Sequence, residues 1–466
     1  MLLALTAALA LVVQDRTPLR AAPRAQASEL TRLWQGEILE VREERAGYLR
    51  VYDYRLERGG YLKSEAVRPL GVSLADAPAL LAVLRFLRDS AGAEALGISY
   101  GAAYLKAAPG GEISAEPLDA IGRMAERLAD EASVRGLGRT DVAQHIQVAE
   151  QVGVRMHAFD RNGRMQVCYE GELYRRVLTL PHASPEQRAR AALALTRTEC
   201  IDPDAGLAQR AALDAQRAAL LDRIDERSLD PLFRSRVHAR RAAVWAAIAF
   251  GHARRGEPSA DAAQRAIAEL HAVHPEELGD EHRAEYLDAL VRVGATRWAA
   301  AAPPSQAASL LVSTAPGQPG QTCMALTSTQ GSTAPLLRRC TYGIVWTASA
   351  RVIARGHALV LAVQPLESWC ELWVFQESGD GWRVDVLPPG AAESGEGYAE
   401  FAGFAPGTQR LLVVREVKEH GRFRRRFEEL SLEDLIPVRE ASSPELLADF
   451  GRWQDAAWRR DTLTLR

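Results

Sequence analysis

The hydrophobic period of this chain changes twice, and no single layer of one element type accommodates all three regimes. Between Thr17 and Leu70 apolar and polar residues alternate in short runs broken by Gly and charged turns, the two-residue period of half-buried strands. From about Ser73 to Ala302 apolar residues recur at helical spacing, as in Pro78 to Arg88, Leu118 to Ala132 and Pro185 to Leu195. From Thr322 to Val438 the two-residue period returns. At 466 residues the chain is also longer than one core supports, and at about 100–200 residues per domain it predicts roughly three. The expected fold is multidomain α+β. A small N-terminal β domain spans 15–71, and a central, mainly α-helical domain with a β-hairpin near 155–180 spans 72–302. A linker over 303–321 leads to a C-terminal antiparallel β domain over 322–466 that ends in a helix, Pro444 to Ala457.

Local punctuation supports this division. Ser184-Pro185-Glu186-Gln187 has the form of a helix start, with Ser at the N-cap, Pro at the first turn and Gln reaching back. Long helices are expected at Leu207–Arg227, Pro231–Arg254, Ala260–Val273 and Pro275–Arg292. The stretch from His157 to Leu180 alternates around Asn162-Gly163, a hairpin signal. Pro303-Pro304-Ser305 and the Gly- and Pro-containing run to Gln321 read as the linker. Strands are expected at Gly343–Arg351, Ala358–Val363, Cys370–Gln376, Trp382–Leu387, Ala399–Phe404, Arg410–Val417 and Arg422–Leu432. Their hairpins resemble propeller blades, but a closed propeller needs about four blades, so an open sheet or sandwich is expected.

The N-terminus and the cysteines bear on compartment. Leu2 to Val13 is a 12-residue apolar run broken only by Thr6, the length of a signal-peptide core and too short to span a bilayer. Residues 1–14 are therefore expected to be a signal peptide, cleaved near Gln14, and the mature chain to be periplasmic or secreted by a bacterium, with no membrane span. In an oxidising compartment five cysteines imply disulfides. Neighbours in sequence pair most economically, Cys168 with Cys200 and Cys323 with Cys340, leaving Cys370 as a buried thiol.

The segment 17–70 resembles a bacterial Src-homology-3-like domain. Leu19 to Pro23, Leu33 with Gly36, Ile38-Leu39-Glu40-Val41, Gly47-Tyr48-Leu49-Arg50-Val51 and Gly60-Tyr61-Leu62-Lys63 follow that family's pattern over about an eighth of the chain. The resemblance implies a small β-barrel with an aromatic-lined groove for a ligand, and the candidate binding residues are Trp34, Tyr48, Tyr52, Tyr54 and Tyr61.

Catalytic and nucleic-acid signatures are weak throughout. The formal net charge is −3, with no electrostatic footprint for nucleic acid. No C-x-x-C pair occurs, and no phosphate-cradling glycine loop or strand–turn–helix nucleophile elbow is expected, so no metal and no cofactor is expected. His271, His274 and His282 share metal-like spacing, but Pro275 interrupts the helix and no carboxylate pattern supports them. Arg422, Arg424, Arg425, Arg426 and Lys418 form a basic hairpin, read as a charged edge or as a site for an anionic envelope polymer. The expectation is a non-enzymatic envelope protein whose partner is a peptide, peptidoglycan or another envelope protein. The alternative is a divergent peptidoglycan hydrolase.

Overall fold

The computed structural model describes residues 8–138, 140–161, 163–302, 309–329, 334–391 and 395–460. The chain forms two compact units, Met1–Ala205 and Gly206–Arg466. The first opens with seven strands: β1 (Ala8–Val12), β2 (Thr17–Arg20), β3 (Glu29–Leu33), β4 (Ile38–Arg45), β5 (Tyr48–Asp53), β6 (Arg58–Lys63) and β7 (Val67–Leu70). They form one antiparallel sheet in the order β3-β2-β6-β5-β4-β1-β7. Every strand gives at least one residue to a common core on one face, among them Val12, Leu19, Leu33, Leu39, Val51, Leu62 and Val67.

The apolar run expected to be a signal-peptide core is, from Ala8 to Val12, a strand between β4 and β7. Ala10 and Val12 enter the common core, whereas Leu11 on the opposite face meets Leu80, Ala103 and Tyr104 of the helices. A strand buried on both faces needs an uninterrupted apolar run, and that composition is the same as a signal-peptide core. The part of the run before Ala8 lies outside the described residues. The strand expected to be first, at Leu19, is consequently the second.

The helices of this unit are α1 (Ala77–Leu87), α2 (Glu94–Ala107), α3 (Ala115–Arg135), α4 (Thr140–Gln151), α5 (Glu172–Thr179) and α6 (Pro185–Leu195). At the start of α6, Ser184 Oγ accepts from Gln187 N at 3.2 Å and Gln187 Oε1 accepts from Ser184 N at 2.9 Å, the expected reciprocal cap. The expected hairpin comprises β8 (Met156–Arg161) and β9 (Arg164–Tyr169), but it ends there. Gly171 adopts φ 81°, which breaks the strand, and Leu173, Tyr174 and Val177 then bury one face of α5. Of the expected turn, Asn162 lies outside the described residues.

In the second unit α7 (Leu207–Asp222), α8 (Pro231–Arg254), α9 (Ala260–His271) and α10 (Asp280–Thr296) precede two sheets. A three-stranded sheet joins β10 (Leu310–Pro316), β11 (Thr322–Ser328) and β12 (Leu337–Thr341). The larger sheet holds β13 (Ile344–Ile353), β14 (Ala358–Leu366), β15 (Trp369–Ser378), β16 (Gly381–Leu387), β17 (Gly397–Ala405), β18 (Arg410–Glu419), β19 (Arg422–Ser431) and β20 (Pro437–Ala441). Its neighbours are antiparallel except β15 and β17, which pair in parallel.

Three expectations change here. The central helices do not share one unit, because α8 to α10 bury Leu270, Tyr286, Leu290 and Val293 together with Trp346, Cys370 and Tyr398 of the larger sheet. Within the expected linker, Leu310–Pro316 is a strand; Pro303-Pro304-Ser305 lies outside the described residues. The terminal helix is split into α11 (Ala448–Trp453) and α12 (Ala456–Arg460). Between them Gln454 bridges Gly403, and Asp455 N donates to Ala402 O at 2.8 Å. A Cβ at Gly403 would collide with the Trp453 carbonyl, so only glycine lets the chain settle there.

The expected disulfides are present. Cys168–Cys200 ties β9 to the turn after α6, and Cys323–Cys340 joins facing positions of β11 and β12. Cys370 is free and buried, and burial pushes its thiol up to about 12, far from a reactive thiolate. Protein purified without reductant should therefore show these two bridges in non-reducing peptide maps and one thiol that labels only after denaturation. Each bridge should add about 3–4 kcal/mol by the loop-entropy estimate. Cys370 recovered in a bridge, or five labelled thiols, would overturn the scheme.

Candidate functional site

Alternation along β5 sends Leu49, Val51 and Asp53 inward and Tyr48, Arg50 and Tyr52 outward. The register Tyr48↔Lys63, Arg50↔Tyr61 and Tyr52↔Gly59 places Tyr61 and Lys63 of β6 on that same outer face. Three of the five expected aromatics thus share one surface. Tyr54 joins them from the turn after β5, 66% exposed, its ring 4.8 Å from that of Tyr52 and inclined by 75°. This edge-to-face geometry is the favoured one for aromatic pairs.

Trp34 does not belong to this face. It is only 6% exposed and packs on Ala95 and Val148, with its ring 5.9 Å from His145. The reason lies two residues on. Gly36 has φ 93°, and a Cβ there would sit 2.7 Å from Ala95 O, so the loop after β3 presses against α2.

Two features shape the outer face around Tyr52. Its ring covers Gly59, where a Cβ would come within 2.9 Å of it. A bulge between Val41 and Glu43 leaves Arg42 as the extra residue of β4, and bulges re-aim side chains. Its guanidinium carbon stands 4.1 Å from the Tyr52 ring centre and 5.7 Å from that of Tyr54, and Nη2 donates to the Tyr54 hydroxyl at 3.3 Å. The hydroxyl contact raises the basicity of Arg42, which stays cationic in any case. Tyr52 and Tyr54 line a notch of about 340 Å³ together with the apolar Leu9, Ile38 and Val152.

Beneath the notch a buried ionic group fixes the turn that carries Tyr54. Asp53 Oδ1 accepts from Arg55 N at 3.0 Å and from Arg55 Nε at 3.2 Å. Arg58 Nη2 donates to Glu37 Oε2 at 2.6 Å, and Glu37 Oε1 accepts from Trp34 N at 3.0 Å. Burial raises the Glu37 pKa more than Arg58 lowers it. Three buried oxygens of residues lining the notch have no hydrogen-bond donor among the described residues: Glu40 Oε2, Asp53 Oδ2 and Gln151 Oε1. The first two face guanidinium nitrogens of Arg42 and Arg58 at 3.5 Å. Buried acceptors are normally satisfied, and here the two facing guanidiniums supply the compensating charge for Glu40 and Asp53. Arg42, Glu40, Asp53 and Gln151 were not among the sequence candidates, and only the bulge register brings Arg42 against Tyr52 and Tyr54.

The other sequence candidates are absorbed by structure. In the basic hairpin of β18 and β19, Arg425 pairs with Glu416 at 2.7 Å, Arg426 with Glu419 at 3.0 Å and Lys418 with Glu396 at 2.8 Å. These cross-strand and neighbouring acids pair with three of the five cations, and Arg424 lies 3.6 Å from the same Glu419. His274 and His282 lie beside Glu276 and Glu281, and among the described residues no group of His, Cys, Asp and Glu is placed to hold a metal ion. The four bridged cysteines and the protonated Cys370 leave no thiolate for a Cys–His mechanism. Comparison with protein-family models, with curated proteins and with solved structures gives no match for this chain.

Proposed function

We propose that this protein is a non-catalytic binding protein of the bacterial envelope, exported and disulfide-bonded, whose N-terminal sheet is a Src-homology-3-like barrel that takes an extended peptide such as a cell-wall stem. The observation that carries the reading is the notch lined by Tyr52 and Tyr54, with the Arg42 guanidinium against both rings. Two aromatic rings beside the apolar Leu9, Ile38 and Val152 suit a peptide's side chains better than they suit bond-breaking chemistry. The motifs between Leu19 and Lys63 support the family resemblance. The disulfides fit an oxidising compartment, and no helix among the described residues is long and apolar enough to cross a membrane. The second unit, with its buried sheet and helices, serves as scaffold.

The test is co-sedimentation with purified peptidoglycan sacculi, paired with thermal melting. Tyr54 is exposed, so Tyr54→Ala should melt like wild type and bind about 30-fold more weakly, the effect of a contact of about 2 kcal/mol. Tyr52→Ala should weaken binding similarly while also lowering stability, because its ring covers Gly59. Wild-type protein that stays in the supernatant, or a Tyr54→Ala variant that sediments like wild type, would defeat the reading.

A further inference from the structure

A second cleft of about 340 Å³ opens at the other end of β5, between the turn that joins β1 to β2, Arg20 on β2, and Tyr48 and Lys63 on the outer face. Its charged lining is Asp15, Arg16, Arg20, Lys63 and Glu65, three cations against two carboxylates. One of those carboxylates is already occupied. Asp15 Oδ1 accepts from Gln35 N at 3.1 Å and lies 2.8 Å from His145 Nε2, and Oδ2 accepts from Gln35 Nε2 at 3.3 Å. Glu65 meets Lys63 at 3.0 Å, but both side chains are largely exposed, and such pairs are worth little. Arg16 and Arg20 have no carboxylate within ion-pair distance among the described residues. Arg20 spends one donor on Ala27 O at 2.9 Å, and a guanidinium carries five.

The turn holding Arg16 is also costly to form. Arg16 adopts φ 58°, a left-handed conformation that costs a non-glycine residue about 1–2 kcal/mol. Strain of this kind persists only where surrounding structure enforces it, as the Asp15 contacts to Gln35 and His145 do here. The cleft thus gathers Arg16, Arg20 and Lys63 in its lining with Pro18 and Tyr48, and the Arg16 guanidinium carbon also stands 5.9 Å from the Trp34 ring centre.

We propose that this cleft binds a carboxylate of an acidic peptide, held by Arg16, Arg20 and Lys63 while Tyr48 and Pro18 contact the carbon chain that bears it. The assignment rests on the reading that the outer face of this sheet binds a peptide, and it supplies that ligand's charge and spacing. Tyr48 and Tyr52 lie four residues apart on the same face of one strand, about 13 Å at the rise of a β-strand. An extended peptide whose side chain fills the notch would therefore carry its carboxylate about four residues away.

The experiment is calorimetric titration of the full chain with hexaglutamate, with hexaglutamine and with inorganic phosphate at matched ionic strength. Hexaglutamate should bind, hexaglutamine should not, and phosphate should bind at least 10-fold more weakly. Arg20→Ala and Lys63→Ala should each weaken hexaglutamate binding by 10-fold or more. Lys63 is exposed, so its variant should melt like wild type and remains informative if Arg20→Ala loosens the loop at Ala27. No heat with hexaglutamate, equal binding of hexaglutamine or phosphate, or unchanged affinity in the Lys63→Ala variant would overturn the assignment. Hexaglutamate binding without sedimentation on sacculi would refute the cell-wall reading and leave the carboxylate site standing; sedimentation without hexaglutamate binding would do the reverse.

Discussion

A chain shortened to begin at Gln14 should lose the folded N-terminal unit, and Leu11→Ala in the full chain should cost about 3 kcal/mol. Both expectations come from β1. Its register pairs Ala10 with Leu39 on one side and with Pro69 on the other, so its removal unpairs β4 and β7 together. Leu11 and Val12 are both 0% exposed, on opposite faces, so the same cut opens the common core and the contact with the helices. Large-to-small changes at such sites typically cost 2–5 kcal/mol. Loss of a whole central strand exceeds the ~5–15 kcal/mol by which domains are stable. Circular dichroism of the shortened chain should show only the transition of Gly206–Arg466 and less folded signal than the full chain. Amide exchange should show protection lost from β4 and β7. A shortened chain that melts and exchanges like the full one would mean that the apolar run is dispensable, as a leader would be.

The second large effect is expected in the other unit, at Arg297 and Glu400. Both side chains are at least nine-tenths buried, and the Arg297 guanidinium donates to Glu400 Oε2, whose other oxygen accepts from Trp458 Nε1 at 2.8 Å. Burial works to lower the Arg297 pKa, but Glu400 beside it raises it above the ordinary guanidinium value, so Arg297 stays charged. Removing one partner from a buried pair strands the other charge and typically costs 3–5 kcal/mol. Arg297→Leu should therefore lower the denaturation midpoint of this unit sharply. Arg297→Leu combined with Glu400→Gln should recover at least half of the loss, because no charge is left stranded. Chemical denaturation of the three proteins measures it, and equal losses in the single and double variants would show that packing, including the Arg297 contact with the Trp298 ring at 4.4 Å, matters more than charge.

Neither group was visible as a pair in the sequence. Arg297 and Glu400 are 103 positions apart, and nothing local marks either as buried. The same is true of the notch. Tyr52 and Tyr54 were legible as a face because alternation is local, whereas Arg42 reaches them through a bulge and Gln151 arrives from α4. Trp34 failed as a binding candidate for the matching reason. Its burial depends on a loop that packs against a helix some 60 residues further on, and no periodicity reports that.

Local physics, by contrast, was written along the chain. The three regimes of hydrophobic period set out strands, helices and strands again. Ser184 and Gln187 set the start of α6, and sequence proximity anticipated both disulfides. These features depend on residues a few positions apart, whose energetics are decided before any tertiary contact forms. Tertiary structure alone decided that an apolar run beginning before Ala8 supplies a doubly buried strand, because burial on both faces and a leader's apolar core demand the same composition. It alone joined the later helices to the C-terminal sheets, since an amphipathic face shows that a partner exists without showing which one.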